Sequence, residues 1–110
     1  MAMVAFAFPI LPGKKAKWQE MADQLAGGPV KAQTDASRRA AGVHERTFLQ
    51  ETPAGDMVIV TLEGDSPLEA FGRMMADPSM KEFAEWAADV HGFDPSTAPP
   101  APKLVYDSKA

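Results

Sequence analysis

The sequence predicts an α+β domain in which helices cover one face of a four-stranded antiparallel sheet. Two apolar runs, residues 46–51 and 57–62, flank a short connection at residues 52–56 and indicate a β-hairpin. Helical periodicity precedes and follows this hairpin, and a further strand is expected at each end of the chain. The resulting strand-helix-strand-strand-helix-strand order leaves one sheet face without helices. Because that face also carries apolar residues, we expect a homodimer.

In the first half of the chain, the spacing of apolar residues changes from that of a strand to that of a helix. Large apolar residues occupy every second position from Val4 to Ile10, which predicts a strand over residues 4–11. Helical spacing then begins at Lys14 and ends at the glycine pair before Pro29, and a shorter helix is expected over residues 31–41. The apolar face of the first helix consists of Trp18, Met21, Ala22 and Leu25.

The second half begins with a clear helix start. Ser66-Pro67-Leu68-Glu69 combines an N-cap serine, a proline at the first helical position and a glutamate that completes a capping box. The helix is interrupted near Pro78 and ends at Gly92. Residues 93–102 are rich in proline and predict an extended connection to a last short strand at residues 103–107. The chain of 110 residues is expected to be one domain.

The hairpin register decides which residues share a sheet face. If Thr52 pairs with Asp56 across a three-residue loop, Phe48 lies opposite Val60. A slip of one residue would exchange the faces of one strand. In this register the expected ligand-facing set is His44, Arg46, Phe48, Gln50, Val58, Val60 and Leu62. The expected dimer-facing set is Glu45, Thr47, Leu49, Glu51, Met57, Ile59, Thr61 and Glu63.

Composition excludes several classes of function. The chain has no Cys, so disulfides and thiolate chemistry are excluded, and its two histidines are too few for a multi-histidine metal site. The net charge is −4 and basic residues are dispersed, which argues against nucleic acid as a partner. The N-terminal residues resemble neither a signal peptide nor a membrane span, and we expect a cytoplasmic protein with no membrane partner.

A set of short motifs lies in and around the hairpin. They are Ser37-Arg38-Arg39, Gly42-Val43, Glu45-Arg46, Phe48-Leu49-Gln50, Thr52-Pro53, Gly55-Asp56 and Glu63-Gly64. These motifs resemble those of a bacterial family of small uncharacterised proteins, and the resemblance extends over about residues 4–92. The family looks related to the dimeric α/β-barrel superfamily, which implies ferredoxin-like βαββαβ subunits that pack sheet against sheet.

The wider superfamily includes cofactor-free monooxygenases, haem-degrading enzymes, chlorite dismutases, lactone isomerases and stress-responsive binding proteins. The resemblance implies that Trp18 or Trp86 would take the role of the monooxygenase tryptophan, and His91 that of a haem ligand. Both residue sets also contain an Asn, and the chain has none. We therefore expect no cofactor and no metal.

Six residues are expected to bind a ligand between the sheet and the helices. Arg46 would bind a carboxylate or phosphate, and His44 would orient the ligand or act as a general base. The alternative is structural, with Arg46 paired to Glu63. The six residues are His44, Arg46, Phe48, Gln50, Trp18 and Trp86.

For two further sets of basic residues, the same two roles are considered: binding of a ligand, or contacts that only stabilise the fold. Lys14, Lys15 and Lys17 precede or begin a helix, where positive charge opposes the helix dipole unless an anion binds there. Plain solvation is the simpler interpretation of these lysines. Arg38 and Arg39 are expected to be solvated or paired with carboxylates.

Three functions follow from these observations. The first is binding of a small organic or anionic molecule. The second is a cofactor-independent monooxygenase- or isomerase-like enzyme that uses the same pocket, and the sequence leaves open whether any reaction is catalysed. The third is a non-catalytic interaction protein that acts through its dimer surface. The sequence also leaves open whether residues 103–107 pair within the chain or across the dimer.

Overall fold

The computed structural model describes residues 2–93 and 102–109, and its elements follow the predicted order as far as the last helix. Three strands form an antiparallel sheet in the order β1-β3-β2, and four helices lie on one of its faces. The elements are β1 (Ala2–Pro9), α1 (Lys15–Leu25), α2 (Pro29–Ala41), β2 (Val43–Gln50), β3 (Met57–Gly64), α3 (Pro67–Ala76), a 3₁₀ turn (Pro78–Met80) and α4 (Lys81–His91).

The helix boundaries follow local sequence signals, although the capping contacts differ from those predicted. Helices α2 and α3 begin at prolines, whose fixed φ suits the first helical turn. Ser66 precedes α3 without making a side-chain capping hydrogen bond, so the predicted capping box is not formed. At the interruption near Pro78 the Asp77 carboxylate accepts a hydrogen bond from the Ser79 backbone N–H at 2.9 Å, and α4 begins two residues after Ser79.

The hairpin register differs by one residue from the prediction. Phe48 lies opposite Ile59 rather than Val60, because the chain turns at Pro53 and Ala54 instead of through a three-residue loop. The Gly55 N–H donates to the Thr52 carbonyl at 3.1 Å, which closes a four-residue turn with proline at its second position. This slip moves the side chains of β2 to the opposite sheet face. It also sets His44, rather than Glu45, opposite Glu63.

The core lies between the sheet and the helices in two adjoining clusters. Ile10, Trp18, Val58 and Val90 form one cluster. Val4, Phe6 and Leu62 form the other, against which Phe71 and Met74 pack. These contacts confirm that the helices cover a single face of the sheet.

The other sheet face is uncovered and apolar in its centre. We call it the open face. Phe48 is 51% exposed there and Met3 is 60% exposed, with polar residues of β2 and β3 around them. The residues of this face are Met3, Ala5, Ala7, Met57, Ile59, Thr61, Glu63, His44, Arg46, Phe48 and Gln50. Of the expected dimer-facing set, the β3 residues therefore lie on the open face, whereas the β2 residues lie on the face that the helices cover.

The predicted fourth strand is not paired in the single chain. Residues 103–107 are described by the structure and form no ladder with another described strand. Leu104, Val105 and Tyr106 are 76%, 88% and 80% exposed, so the segment does not pack on its own sheet. Most of the proline-rich connection before it, residues 94–101, lies outside the described part of the chain.

Candidate functional site

A cleft of about 1030 Å³ separates the covered sheet face from the helices. Side chains of a strand point to each sheet face at every second position. The inward-facing side chains of the sheet form the floor of the cleft. The helices form its walls. The floor includes Phe8, Thr47, Val58, Val60 and Leu62.

Aromatic and methionine side chains dominate the cleft walls. Both tryptophans of the chain line it, Trp18 from α1 and Trp86 from α4. The Trp86 ring lies 5.6 Å from that of Phe83, centroid to centroid. Met21, Met74, Met75 and Met80 complete the apolar wall, and such flexible side chains adapt to ligands of irregular shape.

His91 is the buried polar group of this cleft. Its Nδ1 lies 2.8 Å from the Pro9 carbonyl oxygen, which can only accept a hydrogen bond. The ring lies between Phe8 and Trp86, whose centroids are 5.3 Å and 6.1 Å from that of His91. Burial among these rings lowers the pKa of His91 below its ordinary value, against a smaller opposing effect of the Pro9 carbonyl. The neutral ring therefore carries its proton on Nδ1 and leaves Nε2 as an acceptor.

A second polar group lies on the wall formed by α2 and β2. The Arg38 Nε donates to the Glu45 carboxylate at 2.6 Å, and both side chains are less than one-fifth exposed. Thr47 Oγ1 also donates to this carboxylate, at 3.2 Å. Arg38 is therefore paired, as expected, and the pair attaches α2 to the sheet. The cleft walls thus combine a large apolar area with polar groups at separate positions.

The structure separates the six predicted ligand-binding residues. Trp18 and Trp86 line the cleft, whereas Arg46, Phe48 and Gln50 lie on the open face. His44 borders the cleft at the edge of the sheet, although its register position is on the open face. The structure therefore does not bring the six residues together in one place, and the cause is the one-residue slip of the hairpin.

Arg46 and the α1 lysines make structural ion pairs. Arg46 pairs with Glu63 on the neighbouring strand, as the structural alternative predicted. Lys14 and Lys17 both donate to Asp89, at 3.1 Å and 2.7 Å, and they lower the pKa of that carboxyl. Lys15 pairs with Glu51 and Asp56 across the start of α1. The lysines are therefore neither an anion site nor simply solvated.

From the sequence, His91 was considered only as the haem ligand that the family resemblance implies. The sequence nevertheless contains a pattern that indicates its burial. Ala84, Ala87 and His91 recur at helical spacing, and all three are buried. A histidine that continues an inward-facing stripe just before the glycine at the helix end was therefore identifiable as a cleft residue.

The described residues adopt a ferredoxin-like α+β fold, with a cleft between the sheet and the helices. Two solved structures show this fold likeness. The tetracenomycin F2 cyclase of Streptomyces glaucescens, a type-II polyketide cyclase, superposes with a TM-score of 0.66 at 16% identity over 100% of this chain and 99% of the cyclase. The L-rhamnose mutarotase FA22100 of Formosa agariphila superposes with a TM-score of 0.61 at 17% identity over 98% of this chain and 100% of the mutarotase.

Comparison at the level of sequence adds nothing to the fold likeness, since no family model and no curated protein matches the chain. No helix within the described residues is both long enough and apolar enough to cross a membrane. The same part of the chain brings together no group of three or more histidine and carboxylate side chains with the geometry of a metal site.

Proposed function

We propose that the protein binds a small organic molecule with a planar, largely apolar body in the cleft between sheet and helices. The observation that supports this proposal is the cleft itself, whose volume of about 1030 Å³ reaches the upper end of ordinary ligand pockets. Binding pockets of this kind are mainly apolar and contain a few polar groups that fix the orientation of the ligand.

The polar groups of the cleft favour a ligand with neutral hydroxyl or carbonyl groups. Arg38 is neutralised by Glu45, and Lys31 by Asp35 at 2.6 Å, so two of the three basic side chains that α2 contributes to the lining offer little net attraction to an anion. The acceptor nitrogen of His91 suits a hydroxyl donor on the ligand. The two structural neighbours are named for a sugar and for a polyketide, and of these the aromatic lining favours the larger apolar class.

Filling the cleft tests the binding proposal. Thr34 lines the cleft from α2, while Ala36 on the same helix is exposed and does not line it. We expect Thr34→Phe to abolish ligand-induced thermal stabilisation and Ala36→Phe to retain it. The screen uses phenols, aromatic acids, free sugars and phosphorylated metabolites. A ligand at 100 times its Kd adds about 2.7 kcal/mol to the free energy of unfolding.

Tryptophan fluorescence provides a second readout, because Trp18 and Trp86 both line the cleft. A bound aromatic ligand should change their emission in wild type and in Ala36→Phe to the same extent. Equal stabilisation of Thr34→Phe and Ala36→Phe by a ligand would contradict binding in this cleft.

An isomerase-like reaction is the second candidate, and His91 is the observation that favours it. A neutral, buried imidazole whose tautomer is held by the Pro9 carbonyl has the form required of a general base. If ligands from the screen exchange C–H protons in D₂O, His91→Gln should stop the exchange and keep binding, whereas His44→Gln should keep both. Exchange that persists in His91→Gln would exclude this role. No observation in the cleft specifically favours the monooxygenase-like alternative.

We also propose that the open face forms a homodimer interface, as the sequence led us to expect. Its apolar centre and polar rim are typical of protein interfaces. If the cleft binds nothing, this surface becomes the functional one and the protein an interaction module. A cytoplasmic location stays a prediction.

A further inference from the structure

The ion pair of Arg38 and Glu45 in the cleft wall is more than the fold requires. Both side chains are less than one-fifth exposed, so water screens their charges only in part. Taking two charges out of water costs free energy that their attraction barely recovers, and two apolar side chains of similar size often stabilise a protein equally well. The pair also lines the cleft, where it can contact a bound molecule.

The guanidinium of Arg38 retains hydrogen-bond donors for a ligand. It has five N–H groups in all. The Nε group donates to Glu45 at 2.6 Å, and Nη1 donates to the Ser37 hydroxyl at 3.2 Å. The other three N–H groups have no acceptor among the described residues. Because Glu45 balances the charge of Arg38, these donors suit a neutral hydroxyl or carbonyl oxygen better than an anion.

The strand register places this pair far from His91 across the floor of the cleft. Glu45 lies opposite Leu62, whereas Phe8, whose ring contacts that of His91, lies opposite Val58. Leu62 and Val58 are four residues apart on β3, and β1 and β2 flank β3 on its two sides. Strand geometry therefore separates the two polar positions by about 13 Å along the strands and about 10 Å across them, or about 16 Å in total.

The floor between these two positions is apolar, with Val58, Val60 and Leu62 in its centre. A flat ring system can therefore lie along the diagonal with a polar atom at each end. Two hydrogen bonds of about 3 Å leave about 10 Å between the two polar atoms of such a ligand. Two linked benzene rings with a hydroxyl at each end have this length, whereas a single ring is too short.

We propose that the cleft selects elongated ring compounds with a neutral polar group at each end. The acceptor nitrogen of His91 binds a hydroxyl at one end, and the Arg38 guanidinium, balanced by Glu45, binds a hydroxyl or carbonyl oxygen at the other. Arg38 and Glu45 are thus residues that determine specificity. This inference rests on the proposed function and names the class of its ligand, because binding in the cleft does not by itself require length or two polar ends.

Isothermal titration calorimetry with three phenols tests the spacing. p,p′-Biphenol carries a hydroxyl at each end of two linked rings, p-phenylphenol carries only one, and hydroquinone carries two on a single ring. We expect wild type to bind p,p′-biphenol at least about tenfold tighter than p-phenylphenol, which is the effect of one hydrogen bond to a charged group. Hydroquinone should bind most weakly.

The double variant Arg38→Met/Glu45→Leu tests the role of the pair. Replacement of both partners by apolar side chains should leave the protein folded, as checked by circular dichroism and thermal unfolding. We expect the variant to bind p-phenylphenol as wild type does and to lose its preference for p,p′-biphenol. A pair that only supports the fold would change the affinity for both phenols alike. A retained preference would therefore overturn the proposal, as would an equal loss for both phenols.

A change of charge selectivity provides an independent measurement. In Glu45→Gln the charge of Arg38 is no longer balanced. We expect this variant to gain at least tenfold, relative to wild type, in its affinity for the biphenyl acid in which a carboxylate replaces one hydroxyl of p,p′-biphenol, with the affinity for p,p′-biphenol as reference. Asp35→Asn is the matched control, because it frees Lys31 on the same helix in a pair whose side chains are almost half exposed. Solvent and salt screen that charge, so the control should retain the wild-type selectivity. Equal selectivity of Glu45→Gln and wild type would overturn the proposal.

The same titrations keep this inference apart from the proposed function. If wild type binds none of the three phenols, both are refuted for planar ligands. If wild type binds p,p′-biphenol and p-phenylphenol equally well, and Thr34→Phe abolishes both, the cleft remains the binding site and only the two-ended recognition is refuted.

Discussion

His91 couples the stability of the protein to pH through its burial in the cleft. Its pKa is lowered in the folded state, chiefly because the rings of Phe8 and Trp86 exclude water from it. In the unfolded chain a histidine titrates near its ordinary pKa of about 6.5. Below that pH the unfolded state binds more protons than the folded state, so stability is full above pH 6.5 and falls as the pH decreases.

We therefore expect wild type to lose more stability between pH 8 and pH 5 than His91→Gln, measured by urea denaturation at both values. Gln cannot titrate and retains a donor for the Pro9 carbonyl. His44→Gln, a change at an exposed histidine, should retain the wild-type difference. An equal loss in wild type and His91→Gln would contradict the coupling.

Arg46 makes an exposed ion pair with Glu63 on the open face, with side chains 48% and 26% exposed. Such pairs contribute about 0–1 kcal/mol to stability. We expect Arg46→Ala to change the free energy of unfolding by no more than this and to leave ligand binding in the cleft unchanged. Chemical denaturation and ligand titration measure the two effects. Loss of ligand binding in Arg46→Ala would show that Arg46 belongs to the binding site.

At the scale of elements, two glycines hold the end of α2 against the sheet. Gly42 ends α2 in the left-handed conformation, with φ of 74°. A Cβ built at Gly64 on β3 would overlap the Gly42 carbonyl oxygen. Glycine at position 64 therefore allows the close approach of the two backbones where α2 passes into β2. This contact accounts for two residues of the motif that carries the family resemblance.

Gly64→Ala should destabilise the protein by about 1–3 kcal/mol, because backbone atoms must shift to admit the methyl group. Gly72→Ala is the matched control, since a Cβ there meets no atom within 4 Å and the residue lies inside α3. We expect the control to stabilise the protein by about 0.5–1 kcal/mol through its higher helix propensity. Thermal and urea unfolding distinguish the two, and equal stability of both variants would refute the packing argument.

The two strands of the hairpin could be predicted from the sequence, whereas their register could not. Strands β2 and β3 were predictable from their apolar runs, but the position of Pro53 in the turn decided their register. Moving that turn by one residue took Phe48 from the expected ligand site to the open face. The sheet faces of the β3 residues were assigned correctly, because their alternation leaves Val58 and Leu62 facing the core.

At the scale of the whole molecule, the proposed dimer would form through the open face. Phe48, 51% exposed at its centre, would be buried between two subunits of the proposed dimer. We expect Phe48→Glu to raise the dimer dissociation constant at least about tenfold, because burial of an unpaired charge costs more than 1.4 kcal/mol. Light scattering over a concentration series measures this change.

Leu68→Glu provides the control for that experiment. Leu68 is a comparably exposed apolar residue at 47%, but it lies on α3, away from the open face. The dissociation constant of this variant should equal that of wild type. Equal association of Phe48→Glu and wild type would place the dimer interface elsewhere.

The sequence by itself determined the order of the elements through β1 to α4, the covering of one sheet face, and the presence of Trp18 and Trp86 beside that face. These features depend on local periodicity and on the need to bury apolar side chains. Only the tertiary structure decided that Arg46 lies apart from the cleft, that the Pro9 carbonyl fixes the tautomer of His91, and that residues 103–107 remain unpaired in the single chain. These outcomes depend on a one-residue register and on contacts between residues distant in the chain, which no local pattern encodes.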